Sequence, residues 1–141
     1  QTYRNTHSTL AYLIQPAAMA NDLAAIHKLV SSLQANPKAN ANNVVHLTAA
    51  INNPSSTEAI VRAAVQGLKV YFVGASQDGD LCSDDAQTAA GEAQDVYRQW
   101  LRRQYASYIS ALLGLLTGAQ HPASIQVSAT SALMEAVRCE G

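Results

Sequence analysis

Charge, aromatic rings, cysteine and long apolar runs are all scarce in this 141-residue chain. Charged residues make up 13%, against the ~25% usual for soluble domains. Neither sign dominates: nine Lys+Arg stand against ten Asp+Glu, for a formal net charge of −1. That balance argues against a basic nucleic-acid binder. The two cysteines, Cys82 and Cys139, lie 57 positions apart. They can pair, but two thiols make no disulfide framework, and reduced thiols are the expectation in a mostly helical chain. Asn53-Pro54-Ser55 is spoiled as a glycosylation site by its proline. Lys, Arg, Gln or Ser interrupts every apolar stretch within a few residues, so no transmembrane helix is expected. The early apolar run 10–14 is too short for a signal peptide.

Catalytic patterns are missing as well. There is no phosphate loop, no G-x-S-x-G and no dinucleotide fingerprint. The single Phe, Phe72, and the lack of histidine between positions 47 and 120 exclude a globin. The histidines at 7, 27, 46 and 121 have no His, Cys or carboxylate at helical spacing that would make a metal site. Asp78, Asp80 and Cys82 fall at positions one, three and five of a calcium loop. Ser83 then stands where the loop needs glycine, and Ala89 where it needs glutamate, so an EF-hand is excluded. Cys82 lies among aspartates and Cys139 in the last turn of a helix, settings that oppose thiolate formation. No cofactor, metal or catalytic residue is expected.

What the chain has is alanine and helical periodicity. Hydrophobic residues reach 48%, and 26 residues are alanine, the best helix former. The length fits one domain with a core of its own. Apolar residues recur at helical spacing, and no segment alternates with period two. A first helix is predicted over 8–20, with Leu10, Leu13 and Ile14 on one stripe. A second follows Asn21 or Asp22 as cap, with Leu23, Ile26, Val30 and Leu33 on one face, and ends at Asn36-Pro37. The Asn/Ala-rich stretch 37–43 reads as a surface loop. A short third helix covers 44–51, and Asn52-Asn53-Pro54-Ser55 is a turn. A fourth opens on Ser55-x-x-Glu58 as a capping box, buries Ile60, Val61, Ala64, Leu68, Tyr71 and Phe72, and closes at Gly74. Its β-prone end, Val70-Tyr71-Phe72-Val73, blurs that boundary. Residues 75–91, with four aspartates, read as a mobile acidic loop. The longest helix runs over 92–116 and is closed by Gly118. Pro122 opens the last, with Ile125, Ala129, Ala132, Leu133, Ala136 and Val137 expected on one face. The fold class expected is all-α: antiparallel helical hairpins, as a compact bundle or the start of an α-solenoid.

One polar cluster stands out, Tyr97-Arg98-Gln99-Trp100-Leu101-Arg102-Arg103-Gln104-Tyr105. Arg98 and Arg102 share a helix face, with Arg103 beside it. Three arginines among aromatics can meet RNA phosphates or bases, pair with an acidic partner, or pair with Asp95 and Glu92 one turn back. Trp100 and the tyrosines fit core or interface anchors better than base-stackers.

That cluster, followed by Leu112-Leu113-Gly114-Leu115-Leu116 and by His121-Pro122-Ala123-Ser124-Ile125-Gln126-Val127-Ser128-Ala129-Thr130-Ser131-Ala132-Leu133-Met134-Glu135-Ala136-Val137-Arg138, resembles the N-terminal region of the nucleolar complex protein 4 family. There a helix opening on Y-x-x-W leads to an HEAT-like helix of the form S-x-Q-v-x-A-L-x-x-L-M-x-x-V. The order of the earlier helices is similar too. The resemblance covers most of 21–141 in order and 92–141 in detail, and this chain is richer in alanine and poorer in charge than the pattern. It implies a HEAT-like α-solenoid forming the N-terminal part of a longer protein, which would carry a CBF/Mak21 domain further on. It also implies a non-enzymatic scaffold of the small-subunit processome, the 90S pre-ribosome, in the nucleolus. Its partners would be a nucleolar protein 14 homologue and other processome proteins, with pre-rRNA contact at most peripheral and no membrane. Tyr97, Arg98, Trp100, Arg102 and Arg103 are the partner-binding residues expected. The other readings are a helical subunit of another large complex, such as an organellar one, and a small helical enzyme or ligand carrier.

Overall fold

A computed structural model describes residues 22–81, 92–118 and 121–140. Among these residues it is all-α, with five helices and no strand: α1 (Leu23–Ala35), α2 (Asn43–Asn52), α3 (Glu58–Gln77), α4 (Glu92–Thr117) and α5 (Ala123–Glu140). The helix expected over 8–20 lies outside the described residues, as do residues 82–91 of the expected acidic loop.

Local chemistry explains most boundaries. Asp22 caps α1, its carboxylate accepting from the Ala24 amide at 3.0 Å. The Asn-rich stretch after α1 adds side-chain donors to carbonyls near its carboxyl end. The Asn40 side-chain amide donates to the Ser32 carbonyl at 2.8 Å, and that of Asn43 donates to Leu29 at 3.0 Å. Asparagine is thus used there as a donor to backbone, which composition alone does not reveal.

Both expected ends of α3 move. The N-cap is Thr57, whose hydroxyl accepts from the Ile60 amide, in place of Ser55. Ser55 is held in a turn by the Asn53 side chain at 2.9 Å, so the chain cannot enter the helix there. Glu58 becomes the first helical residue, where a negative charge favours the helix dipole. At the other end Gly74 is inside the helix, and Gly79, at φ 81°, takes the left-handed position. The Asp80 amide donates to the Ala75 carbonyl and the Gly79 amide to Ser76, the paired bonds of a Schellman ending. Residues 75–77 are therefore helix, not loop. The β-prone run 70–73 stays helical because Tyr71 and Phe72 are buried; tertiary burial outweighs a preference worth under ~1 kcal/mol.

The packing order decides between bundle and solenoid. Each helix packs on the next and on the next but one: α1 on α2 and α3, α2 on α3 and α4, α3 on α4 and α5, and α4 on α5. Helices α1, α3 and α5 therefore make one layer, and α2 and α4 the other. A closed bundle would return its last helix to its first; this succession is that of an open solenoid. The core is one cluster, running from Ile26 and Leu33 of α1 through Leu47, Leu68 and Phe72 to Leu101, Leu112, Ile125 and Ala129.

Two glycines of α3 play opposite parts. A Cβ on Gly67 would sit 2.5 Å from Val30 Cγ2 and 3.0 Å from its Cγ1, so α1 and α3 touch there because Gly67 has no side chain. Val30 is β-branched and stiff, so it yields poorly. A Cβ on Gly74 would meet nothing within 4 Å. Gly67→Ala should lower unfolding free energy by about 1–2 kcal/mol, overpacking exceeding the helix-propensity gain. Gly74→Ala should raise it by about 0.5–1 kcal/mol. Urea melts of the two variants test the contrast, and equal shifts of the same sign would contradict it.

Candidate functional site

The first half of α4 carries the aromatic and arginine cluster, and the structure distributes its members over different surroundings. Tyr97 is half-buried. Its hydroxyl lies 3.1 Å from that of Tyr71 on α3, and the Lys38 ammonium sits over its ring at 5.7 Å. Trp100 stacks on Tyr97 with ring centroids 6.0 Å apart and packs on the edge of the core. The two rings thus brace α4 against α3 and the α1–α2 loop while keeping part of their surface in water.

The three arginines diverge. Arg98 turns inward, its Nε 3.6 Å from an Asp80 carboxylate oxygen, with the two side chains only 16% and 8% exposed. The sequence offered Asp95 and Glu92, one turn back, as intrachain partners; the structure pairs Arg98 instead with an aspartate after α3. The Schellman ending fixes where Asp80 stands, and Arg98 neutralises it. Arg102, half-buried, lines a groove between α3, α4 and α5. Arg103 is exposed, on the outer face that also shows Val96. One aromatic–arginine cluster in sequence is therefore four things in space: a brace, an internal ion pair, part of a groove wall and an outward charge.

Behind the site lies an aromatic cluster. Phe72 stacks on Tyr108 at 4.8 Å and meets Tyr105 edge-on at 5.4 Å. The Tyr105 hydroxyl donates to Glu140 of α5 at 2.5 Å. Tyr108 is buried, and its hydroxyl has no hydrogen-bond partner among the described residues. Burial pushes the Tyr71 hydroxyl far above the ordinary tyrosine range, helped by Tyr97. Burial and the Glu140 hydrogen bond do the same to Tyr105, and burial with nearby Tyr105 to Tyr108. All three remain protonated near neutral pH, as hydrogen-bonding phenols.

The remaining candidates stand apart from this site. His27 is exposed on α1, His46 is half-buried on α2, and His121 precedes α5. Among the described residues no three His, Cys, Asp or Glu side chains gather as a metal set, and no helix is long and apolar enough to cross a membrane. Cys139, a free thiol, lines the α3–α4–α5 groove. Sequence reasoning missed Asp80, Lys38 and Glu140 as partners of the cluster. Gly79 between two aspartates was the one available signal, since it marks where α3 stops and therefore which aspartate turns inward.

No curated protein and no solved structure matches the chain. The profile of a family described as "Nucleolar complex protein 4-like, TPR repeats" matches residues 17–141. Tetratricopeptide repeats are helical hairpins stacked in series, and the succession of α1 to α5 has that character. The chain belongs to the nucleolar complex protein 4-like family of helical-repeat proteins.

Proposed function

We propose that this chain is a non-enzymatic scaffold of the small-subunit processome. It supports pre-rRNA processing and 40S maturation through protein–protein contacts in the nucleolus. The observation that carries this reading is the family match over residues 17–141, on a solenoid with exposed helix faces. Family membership supports a role in ribosome biogenesis within a multiprotein complex, with a nucleolar setting. A nucleolar protein 14 homologue is the partner proposed, and pre-rRNA contact is peripheral. The near-neutral charge fits protein contacts better than an RNA clamp.

The α4 face supplies the contact. Arg103 and Val96 are presented to the partner, Tyr97 and Trp100 supply aromatic surface behind them, and Arg98 and Arg102 hold the flank. Aromatic and arginine side chains are favoured as interface anchors. Affinity purification of the tagged protein, with mass spectrometry and RNA sequencing, tests the reading. Recovery of the nucleolar protein 14 homologue, small-subunit factors and precursor rRNA is expected. Sedimentation as a free monomer, or recovery of an organellar complex, would overturn it. Arg103→Glu should leave stability within about 0.5 kcal/mol, as for most surface changes, and reduce particle recovery several-fold. Unchanged recovery would remove Arg103 from the interface.

A further inference from the structure

We propose that the groove between α3, α4 and α5 receives a partner-protein segment that inserts apolar side chains and sets a carboxylate beside Lys69. The inference rests on the scaffold reading and names what one part of its surface takes. The groove has a volume of about 590 Å³, within the ~300–1,000 Å³ range of binding clefts. Phe72, Val73 and Leu81 make it apolar on one side, and Ala132 and Ala136 of α5 keep it open on the other. Side chains larger than alanine at those two positions would occupy the space. Tyr108 also lines it, with a hydroxyl that no described residue satisfies. A buried hydroxyl left alone is unfavourable, so an added acceptor there would favour occupancy.

The charges around the groove select the occupant. Four charged residues line it: Lys69, Arg102, Glu135 and Glu140. Both carboxylates are engaged within the chain, Glu135 by Arg138 at 2.6 Å and Glu140 by the Tyr105 hydroxyl at 2.5 Å. Lys69, half-buried beside Phe72 and Val73, has no ion-pair partner among the described residues. A cation without an ion-pair partner among the described residues therefore stands next to apolar surface. A carboxylate flanked by apolar side chains complements it, as on one face of an amphipathic helix. An RNA backbone does not, because the apolar lining gives its successive phosphates no partners.

A benzoylphenylalanine photo-crosslinker at Ser76, on the groove wall, tests this in cells with the whole protein. A second protein carries the crosslinker at exposed Val127 as a positional control. The expected adduct is a peptide of another protein with apolar residues and an Asp or Glu within four positions. Lys69→Glu should lower its yield about tenfold, and Lys at the captured carboxylate should restore it. A peptide without a carboxylate, a yield indifferent to Lys69→Glu, or an adduct with RNA or with a second copy of this chain would each overturn the proposal. So would the absence of any Ser76 adduct from protein that still sediments with pre-ribosomal particles; the scaffold reading would then stand without the groove. A groove adduct from protein that never enters those particles would overturn the scaffold reading instead.

Discussion

Phe72→Ala should lower the unfolding free energy by about 3–5 kcal/mol, the range for truncating a buried aromatic ring. Phe72 is 3% exposed and is the one phenylalanine in the chain. Its ring meets those of Tyr71, Tyr105 and Tyr108 at 5.1, 5.4 and 4.8 Å. It thereby joins α3 to α4, two helices that otherwise touch little along their length. Removing it leaves a cavity walled by tyrosines, whose own positions depend on the ring. The loss is a large share of the ~5–15 kcal/mol that holds a domain together, so a milder variant belongs beside it. Phe72→Leu keeps most of the volume and should cost under about 1.5 kcal/mol. Urea denaturation followed by far-UV circular dichroism gives both values. A cost below about 1 kcal/mol for Phe72→Ala would mean the aromatic cluster is not a structural centre.

The second large effect comes from the ion pair. Arg98→Met should cost about 3–5 kcal/mol, because it leaves Asp80 buried without its counter-charge. Asp80 is 6% exposed, and its position is fixed by the Schellman ending of α3, so it cannot turn out to water cheaply. Adding Asp80→Leu to Arg98→Met should recover most of the loss, since removing both charges together is often near neutral. A double-mutant cycle read by chemical denaturation measures the coupling. A cost for the double variant equal to the sum of the Arg98→Met and Asp80→Leu costs would show that the pair is not coupled. The double variant also informs function, because it is expected to fold while lacking the Arg98 guanidinium. If particle recovery survives in it, Arg98 positions the α4 face and does not touch the partner.

These two effects mark the limit of what the sequence could say about the site. Tyr97, Trp100 and the arginines were legible as a cluster because a helix face is set by residues within one or two turns. Their divergence was not legible. Arg98 is ion-paired with Asp80, 18 positions earlier, while the expected candidates stood one turn away on its own helix. Lys38 reaches Tyr97 from 59 positions earlier, and Glu140 reaches Tyr105 from 35 positions later. No periodicity within one helix encodes such pairs. The misplaced ends of α3 have a similar origin. Ser55 has the right residue type for a cap and Gly74 for a stop, but Asn53 claims the first and burial of Tyr71, Phe72 and Ala75 carries the helix past the second.

By itself the sequence determined the helices and the family, because 3.6-residue periodicity, caps such as Asp22 and breaks such as Pro37 act locally, and the Tyr97-x-x-Trp100 helix with its successor is a pattern along the chain. Only the tertiary structure decided that the helices stack in an open solenoid and that Gly67 is a contact while Gly74 is a spare position. It alone decided that one arginine faces in, one lines a groove and one faces out. Those choices depend on which faces meet across helices, and the free energy of that meeting belongs to the assembled core.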